Sequence, residues 1–192
     1  MFQIRIHGRG GQGVVSAAEL LSVAAFLEGR HAQAFPSFGS ERMGAPVMAF
    51  CRIDATPIRL REPVLTPDAL IVQDATLLHH AGLFRGMQAG GIILINSTRT
   101  FDEADIARFT GGADRYRVCT VPATELAQKH VGRAVPNVPM LAALAAFGEA
   151  IALDSLVAAI RQKFPHAVAE KNVAAATAAF ALARDTAQVA HA

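Results

Sequence analysis

The residues with the clearest chemical potential are Gly8-Arg9-Gly10-Gly11-Gln12-Gly13. They follow an alternating apolar and polar run, residues 2–7, and precede an apolar run that begins at Val14. Glycines permit positive φ and let the backbone approach a ligand closely. The first amides of a following helix can then hold an anion. G-x-G-x-x-G between a strand and a helix points to a dinucleotide. That chemistry also needs an acid at the end of the second strand, to bind ribose hydroxyls. Here the second strand ends Ala34-Phe35-Pro36-Ser37, and Glu28 stands ahead of it at a helix end. Three readings of the loop therefore stand: a nicotinamide dinucleotide, another anion or partner backbone held at the helix start, or tight packing of strand on helix.

A second polar loop, Ser37-Phe38-Gly39-Ser40-Glu41-Arg42-Met43-Gly44, is expected at the same C-terminal edge of the sheet. That edge is where α/β folds bind ligands. Ser37, Ser40 and Arg42 suit a phosphate or carboxylate, with Glu41 steadying Arg42. Alternatively, Glu41 and Arg42 form an internal pair that stiffens the loop. Asp74 is expected to cap a helix start with help from Thr76. Asn96-Ser97-Thr98 forms a third edge loop able to hydrogen-bond a ligand, and Asn137 a helix start. His7 reads as a capping or packing residue rather than a base. His79 and His80 are adjacent, so a helix would aim them apart. Cys51 and Cys119 have no CxxC, zinc or iron–sulfur spacing and read as buried thiols.

The elements that must position these residues alternate. Residues 2–7 read as a strand and residues 14–28 as a buried helix stopped at Gly29. Residues 31–35 and 47–53 read as strands. A turn at 54–57 and a return at 58–61 predict a hairpin, with Arg59 and Arg61 on one solvated strand face near Arg52. Strands are expected at 69–73, 92–95 and 115–121, and a short helix at 77–84. The run Ile92-Ile93-Leu94-Ile95 suits a central parallel strand. Ala- and Leu-rich helices are expected at 123–130, 139–149, 154–164 and 167–189, the third capped by Asp154 and ended by Pro165. The expected fold is α/β: one three-layer domain over residues 1–192, with a mainly parallel sheet, a β-hairpin insertion and a helical C-terminal region.

Composition narrows the function. The chain has 192 residues, 52% hydrophobic and only 18% charged, which excludes a disordered tail. It also leaves apolar surface for a partner. A net charge of +2, one Tyr and no Trp give no footing for nucleic acid. The longest apolar stretch is broken by Glu149, so no membrane span is expected. The N-terminus carries Arg5, His7 and Arg9 and no apolar leader segment, so a cytoplasmic protein is expected.

"RIHGRGGQGVVSAAELLSVAAF", "AQAFPSFGSERMGAPVMAFCRID" and "DALIVQDATLL" resemble the gamma subunit, or gamma domain, of 2-oxoacid:ferredoxin oxidoreductases. "NVPMLAALAAF" and "AEKNVAAATAAFALA" resemble its helical tail, so the resemblance covers nearly the whole chain. The joined pair HGRGGQG and FGSERMGAPV is its specific part. Met43 departs from it, standing where many relatives carry a second Arg. The resemblance implies oxidative decarboxylation of a 2-oxoacid, pyruvate by default or an aryl glyoxylate such as phenylglyoxylate, to an acyl-CoA.

It further implies that this chain alone holds no cofactor. Thiamine diphosphate, Mg²⁺ and iron–sulfur clusters would sit on alpha, beta and delta-type subunits, and ferredoxin or an NAD-linked acceptor would dock elsewhere. The gamma chain would help assembly and shape the CoA entrance, with Gly8 to Gly13, Ser37, Ser40 and Arg42 as contact residues. The alternatives are a free-standing NAD(P)-binding Rossmann oxidoreductase and a purely structural assembly subunit.

Overall fold

The computed structural model describes residues 1–37, 43–80, 82–110 and 116–189. Six strands form one sheet: β1 (Phe2–Arg9), β2 (His31–Pro36), β3 (Pro46–Asp54), β4 (Ala69–Val72), β5 (Ile92–Asn96) and β6 (Arg117–Val121). Their order is β2-β3-β1-β4-β5-β6. The pairs β1–β4, β4–β5 and β5–β6 are parallel, while β3 runs against both β1 and β2. Five strands thus share one direction, and their C-terminal ends gather at one edge.

Side-chain alternation divides the sheet into two faces. On one, Ile4 lies opposite Cys51 and Ala69, and Ile6 opposite Ala49 and Ile71. This face is covered by α1 (Val14–Leu27), α4 (Asn137–Ala145), α5 (Leu153–Lys163) and α6 (His166–Val189), with α3 (Ala123–Val131) beside them. Every residue of α4 is buried. A helix apolar on all sides suits that place, enclosed by sheet and outer helices. On the other face, Leu70, Val72, Ile93 and Ile95 are covered by a 3-10 turn at Ala75–His79, by Leu83 and Met87, and by α2 (Glu103–Thr110). The architecture is therefore three-layered, with this second cover thinner.

The hairpin lies elsewhere than expected. Residues 58–61 form no strand. Instead β3 pairs with β2, Phe35 opposite Phe50 and His31 opposite Asp54, so the antiparallel ribbon precedes β3 rather than following it. Arg59 and Arg61 therefore share no strand face. Arg52 is no surface residue either: it is only 1% exposed. It donates to Gln3 Oε1, Gln33 Oε1 and the carbonyls of Glu62 and Pro63, fastening the segment after β3 across the sheet. Such a buried guanidinium survives because its donors are satisfied.

Other expectations shift locally. The helix at 77–84 is only the short 3-10 turn, and α2 is an element that the pattern did not announce. Asp154 lies inside the first turn of α5, whose N-cap is Ala152. Among the described residues, no helix is long and apolar enough to cross a membrane.

Candidate functional site

The glycine loop leaves β1 at the C-terminal edge and enters α1. Gly11 (φ 96°) and Gly13 (φ 73°) occupy the left-handed region that favours glycine. Gly13 is the N-cap of α1, and the first amide bonded into the helix is that of Ala17, to the Gly13 carbonyl. The amides before it in the first turn have no partner within the helix.

Much of the loop is nevertheless occupied by its own chain. The Arg9 amide donates to Gln12 Oε1, and the Gln12 amide to the Arg9 carbonyl. The Gly10 amide donates to the Ala45 carbonyl, and Gly44 returns a bond to the Gly10 carbonyl. Residues 43–45 thus lie along the glycine loop, Gly10 forming a parallel bridge with Met43. The Met43 side chain is 86% exposed, and its Cε lies 3.0 Å from where a Gly11 Cβ would stand. A Cβ on Gly8 would meet Val14 Cγ2 at 2.6 Å and Gln73 Oε1 at 3.1 Å. A Cβ on Gly13 would meet Asn137 Nδ2 at 2.6 Å. Gly8 and Gly13 therefore serve close packing, while Gly11 faces outward.

Arg9 is engaged by its own chain. Its Nε lies 3.2 Å from Asp74 Oδ2, its Nη1 donates to the Gly44 carbonyl and its Nη2 to Thr76 Oγ1. Asp74 also accepts from Gln12 Nε2 and from the Thr76 amide, capping the 3-10 turn as the sequence indicates. Burial pulls the Asp74 carboxyl upward. Hydrogen bonds from Thr76 and Gln12 and the charge of Arg9 outweigh it and hold the group below its ordinary value. Asn96 fastens the neighbouring loop, its Nδ2 donating to the Gln73 carbonyl and to Thr124 Oγ1. Gln73 is fully buried beneath Gly8, and neither atom of its side-chain amide has a hydrogen-bond partner among the described residues.

The open side of the loop faces a cavity of about 250 Å³ on the helical face. Gly11, Gly13 and Ser16 form one wall, with Arg133, Asn137 and Asn172 supplying polar groups opposite. Asn137 Oδ1 accepts from the Val138 amide, and Asn172 donates to the Val168 carbonyl. The arrangement can hold one anionic or amide-bearing end of a ligand: a helix start, one exposed guanidinium and an apolar side.

Of the residues singled out in sequence, Gly8 to Gly13 are contiguous at this site. The Ser37 amide is bonded to the Met48 carbonyl at the end of the β2–β3 ribbon. Ser40, Glu41 and Arg42 lie outside the described residues. His7 sits inside β1, on the opposite face of the sheet from the cavity beside Gly11. Burial first, then the charges of Arg5 and His80, lower its pKa to about 3. Sequence spacing carried no signal for Arg133 or Asn172, because they come to the loop from the α3–α4 connection and from α6. Among the described residues, no group of three or more His, Cys, Asp or Glu could hold a metal ion. Cys51 and Cys119 are buried and form no disulfide.

The sequence pattern of the pyruvate ferredoxin/flavodoxin oxidoreductase family matches residues 3–182. Pyruvate synthase subunit PorC of Methanothermobacter thermautotrophicus is 42% identical over 180 residues, 94% of each chain. The pyruvate/ketoisovalerate oxidoreductases common subunit gamma of Thermococcus kodakarensis is 41% identical over 182 residues, 94% of this chain and 96% of the relative. The crystal structure of the pyruvate oxidoreductase subunit PORC of Thermotoga maritima superposes with a TM-score of 0.80 at 36% identity, covering 94% and 96% of the two chains.

Proposed function

Since the chain belongs to the pyruvate ferredoxin/flavodoxin oxidoreductase family, as a gamma subunit, we propose that it helps the complex assemble and shapes the CoA entrance. The observation that carries this reading is the glycine-loop cavity, lined at the start of α1 by Gly11, Gly13 and Ser16 and also by Arg133. CoA is the acyl acceptor, and its phosphates and amide-rich arm suit such a site. A cavity of about 250 Å³ takes one end of that molecule rather than the whole. Ser37, Ser40 and Arg42 belong to the same proposal through the loop that lies along Gly10.

Thiamine diphosphate with Mg²⁺ supplies the carbanion chemistry of decarboxylation when bound, and iron–sulfur clusters carry the electrons. The described residues offer no ligand cluster for either. This chain's part is to bind, orient and exclude water, with alpha, beta and delta-type partners bearing the cofactors. Pyruvate is the default substrate, with phenylglyoxylate and other 2-oxoacids as alternatives. The Thermococcus relative is named as common to pyruvate and ketoisovalerate oxidoreductases, which supports placing substrate choice on other subunits. A cytoplasmic location and ferredoxin or an NAD-linked acceptor complete the reading.

The test is steady-state turnover of the assembled complex with CoA varied. Arg133→Ala is expected to raise the Michaelis constant for CoA roughly threefold to tenfold with little loss of maximal rate. Gly11→Val should act in the same direction, displacing Met43 and straining the loop. Unchanged CoA dependence of both variants, in complexes of normal stoichiometry, would leave assembly alone as the role.

A further inference from the structure

A larger cavity, about 520 Å³, opens on the opposite face of the sheet, beneath the β1–β3 pair. We propose that it binds the carboxylate of a small organic acid with an apolar body, seated on Arg5.

Arg5 is 94% removed from solvent, being 6% exposed. Its Nη2 donates to the carbonyls of Leu83 and Arg85, but Nε has no partner, and no ion pair of Arg5 occurs among the described residues. Carbonyl oxygens orient a guanidinium without neutralising it. A buried cation without a counter-ion is costly, and an anion at the same place removes most of that cost. None of the described residues lining the cavity is acidic; Arg85 and His80 add positive or titratable groups at its rim. His7, next to Arg5 along the same strand face, offers an imidazole whose Nε2 is also unpartnered. Burial and the nearby Arg5 keep that ring neutral, so it can donate a hydrogen bond without adding charge. The remaining wall is apolar: Met48, Leu65, Leu77 and Leu83.

One desolvated guanidinium, a neutral imidazole and an aliphatic wall select a monovalent anion with an apolar body. Arg5 is buried while Arg85 is exposed, so a single carboxylate is matched inside the cavity, whereas a phosphate ester would have to reach Arg85 for its second charge and a neutral apolar molecule would leave Arg5 uncompensated. The volume lies within the range of small-ligand sites. It exceeds that of acetate-sized acids, so an aromatic or branched body fits better.

The experiment titrates 4-phenylbutyrate, and its neutral amide as control, into the full chain and into the assembled complex by calorimetry. The acid is expected to bind at millimolar concentration or tighter in both, and the amide at least tenfold more weakly. Arg5→Met should abolish acid binding. Arg5 also fastens residues 83–85, so a second variant, Met48→Glu, places a carboxylate in the cavity from within and should likewise remove binding. Equal binding of acid and amide, or no binding to either preparation, overturns the proposal. Retention of acid binding in folded Met48→Glu overturns it as well. Binding by the free chain but not by the complex also overturns it, and assigns the cavity to a side chain of a neighbouring subunit.

Discussion

Arg9 in the glycine loop and Asp74 at the end of β4 form an ion pair, Nε to Oδ2, at 3.2 Å. The pair joins two loops that are 65 residues apart in sequence. It explains how a glycine-rich turn keeps one shape: Asp74 also accepts from Gln12, so both sides of the turn are tied to one carboxylate.

Replacing Asp74 with alanine is expected to lower unfolding stability by about 1–3 kcal/mol, because donors on Arg9, Gln12 and Thr76 lose their acceptor together. The folded-state pKa of Asp74 is depressed, so its contribution is present above the unfolded value and is lost as pH falls through the folded one. Denaturant midpoints of wild type and Asp74→Asn should therefore differ at neutral pH and converge in acid below about pH 4. A difference independent of pH would place the effect in packing instead.

Gly13→Val is expected to reduce folding and subunit incorporation. A side chain there meets Asn137 Nδ2 and must also adopt positive φ. Together these cost about 2–5 kcal/mol. Shortening the neighbour, Asn137→Ala, should rescue only the steric share of Gly13→Ala. A double-mutant cycle followed by thermal unfolding separates the two terms. Full rescue would show that the backbone angle is unstrained.

The unpaired amide of Gln73 predicts a gain. Gln73→Met removes two buried polar atoms that have no partner while keeping the side-chain length. Stability should rise by about 1–2 kcal/mol, seen as a higher Tm of the full chain. If the variant instead loses stability, the amide is satisfied by a bound water.

His7 supplies an acid-sensitive element. Its folded-state pKa, about 3, lies below the unfolded value of about 6.5, so the unfolded state binds more protons between those limits. Folding stability should rise with pH across that window, by up to about 1.4 kcal/mol per unit for this group. His7→Gln should flatten the slope, and imidazole resonances of the native chain should show one histidine that stays neutral down to about pH 4.

Local pattern carried much of this architecture. The alternation of residues 2–7, the glycines after it and the continuous Ile92-Ile93-Leu94-Ile95 run each determine their element through nearest neighbours, and all three match. Asp74 as a cap was legible for the same reason, its partner Thr76 being two residues away. What escaped was decided at long range. β3 finds its second partner in β2, so no return strand is needed at 58–61. Arg52 reads as a charge on a solvated hairpin edge, yet carbonyls of the segment after β3 hold it in a buried place. The cavity beside Gly11 draws Arg133 from the α3–α4 connection and Asn172 from α6, each more than 100 residues further along, a convergence that spacing cannot express.

The place of β1 in the sheet has a consequence for biogenesis. Of these six strands β1 leaves the ribosome first, and in the sheet it is hydrogen-bonded on one side to β3 and on the other to β4. The β3 flank can close once the chain has been made through Asp54, but the β4 flank waits until Val72, so β1 keeps one open edge in between. Once in place it is the seam between two halves, β2-β3 on one side and β4-β5-β6 on the other. A nascent chain halted before Ala69 therefore has an open strand edge through β1, the state in which a chaperone or a sister chain would most readily capture it.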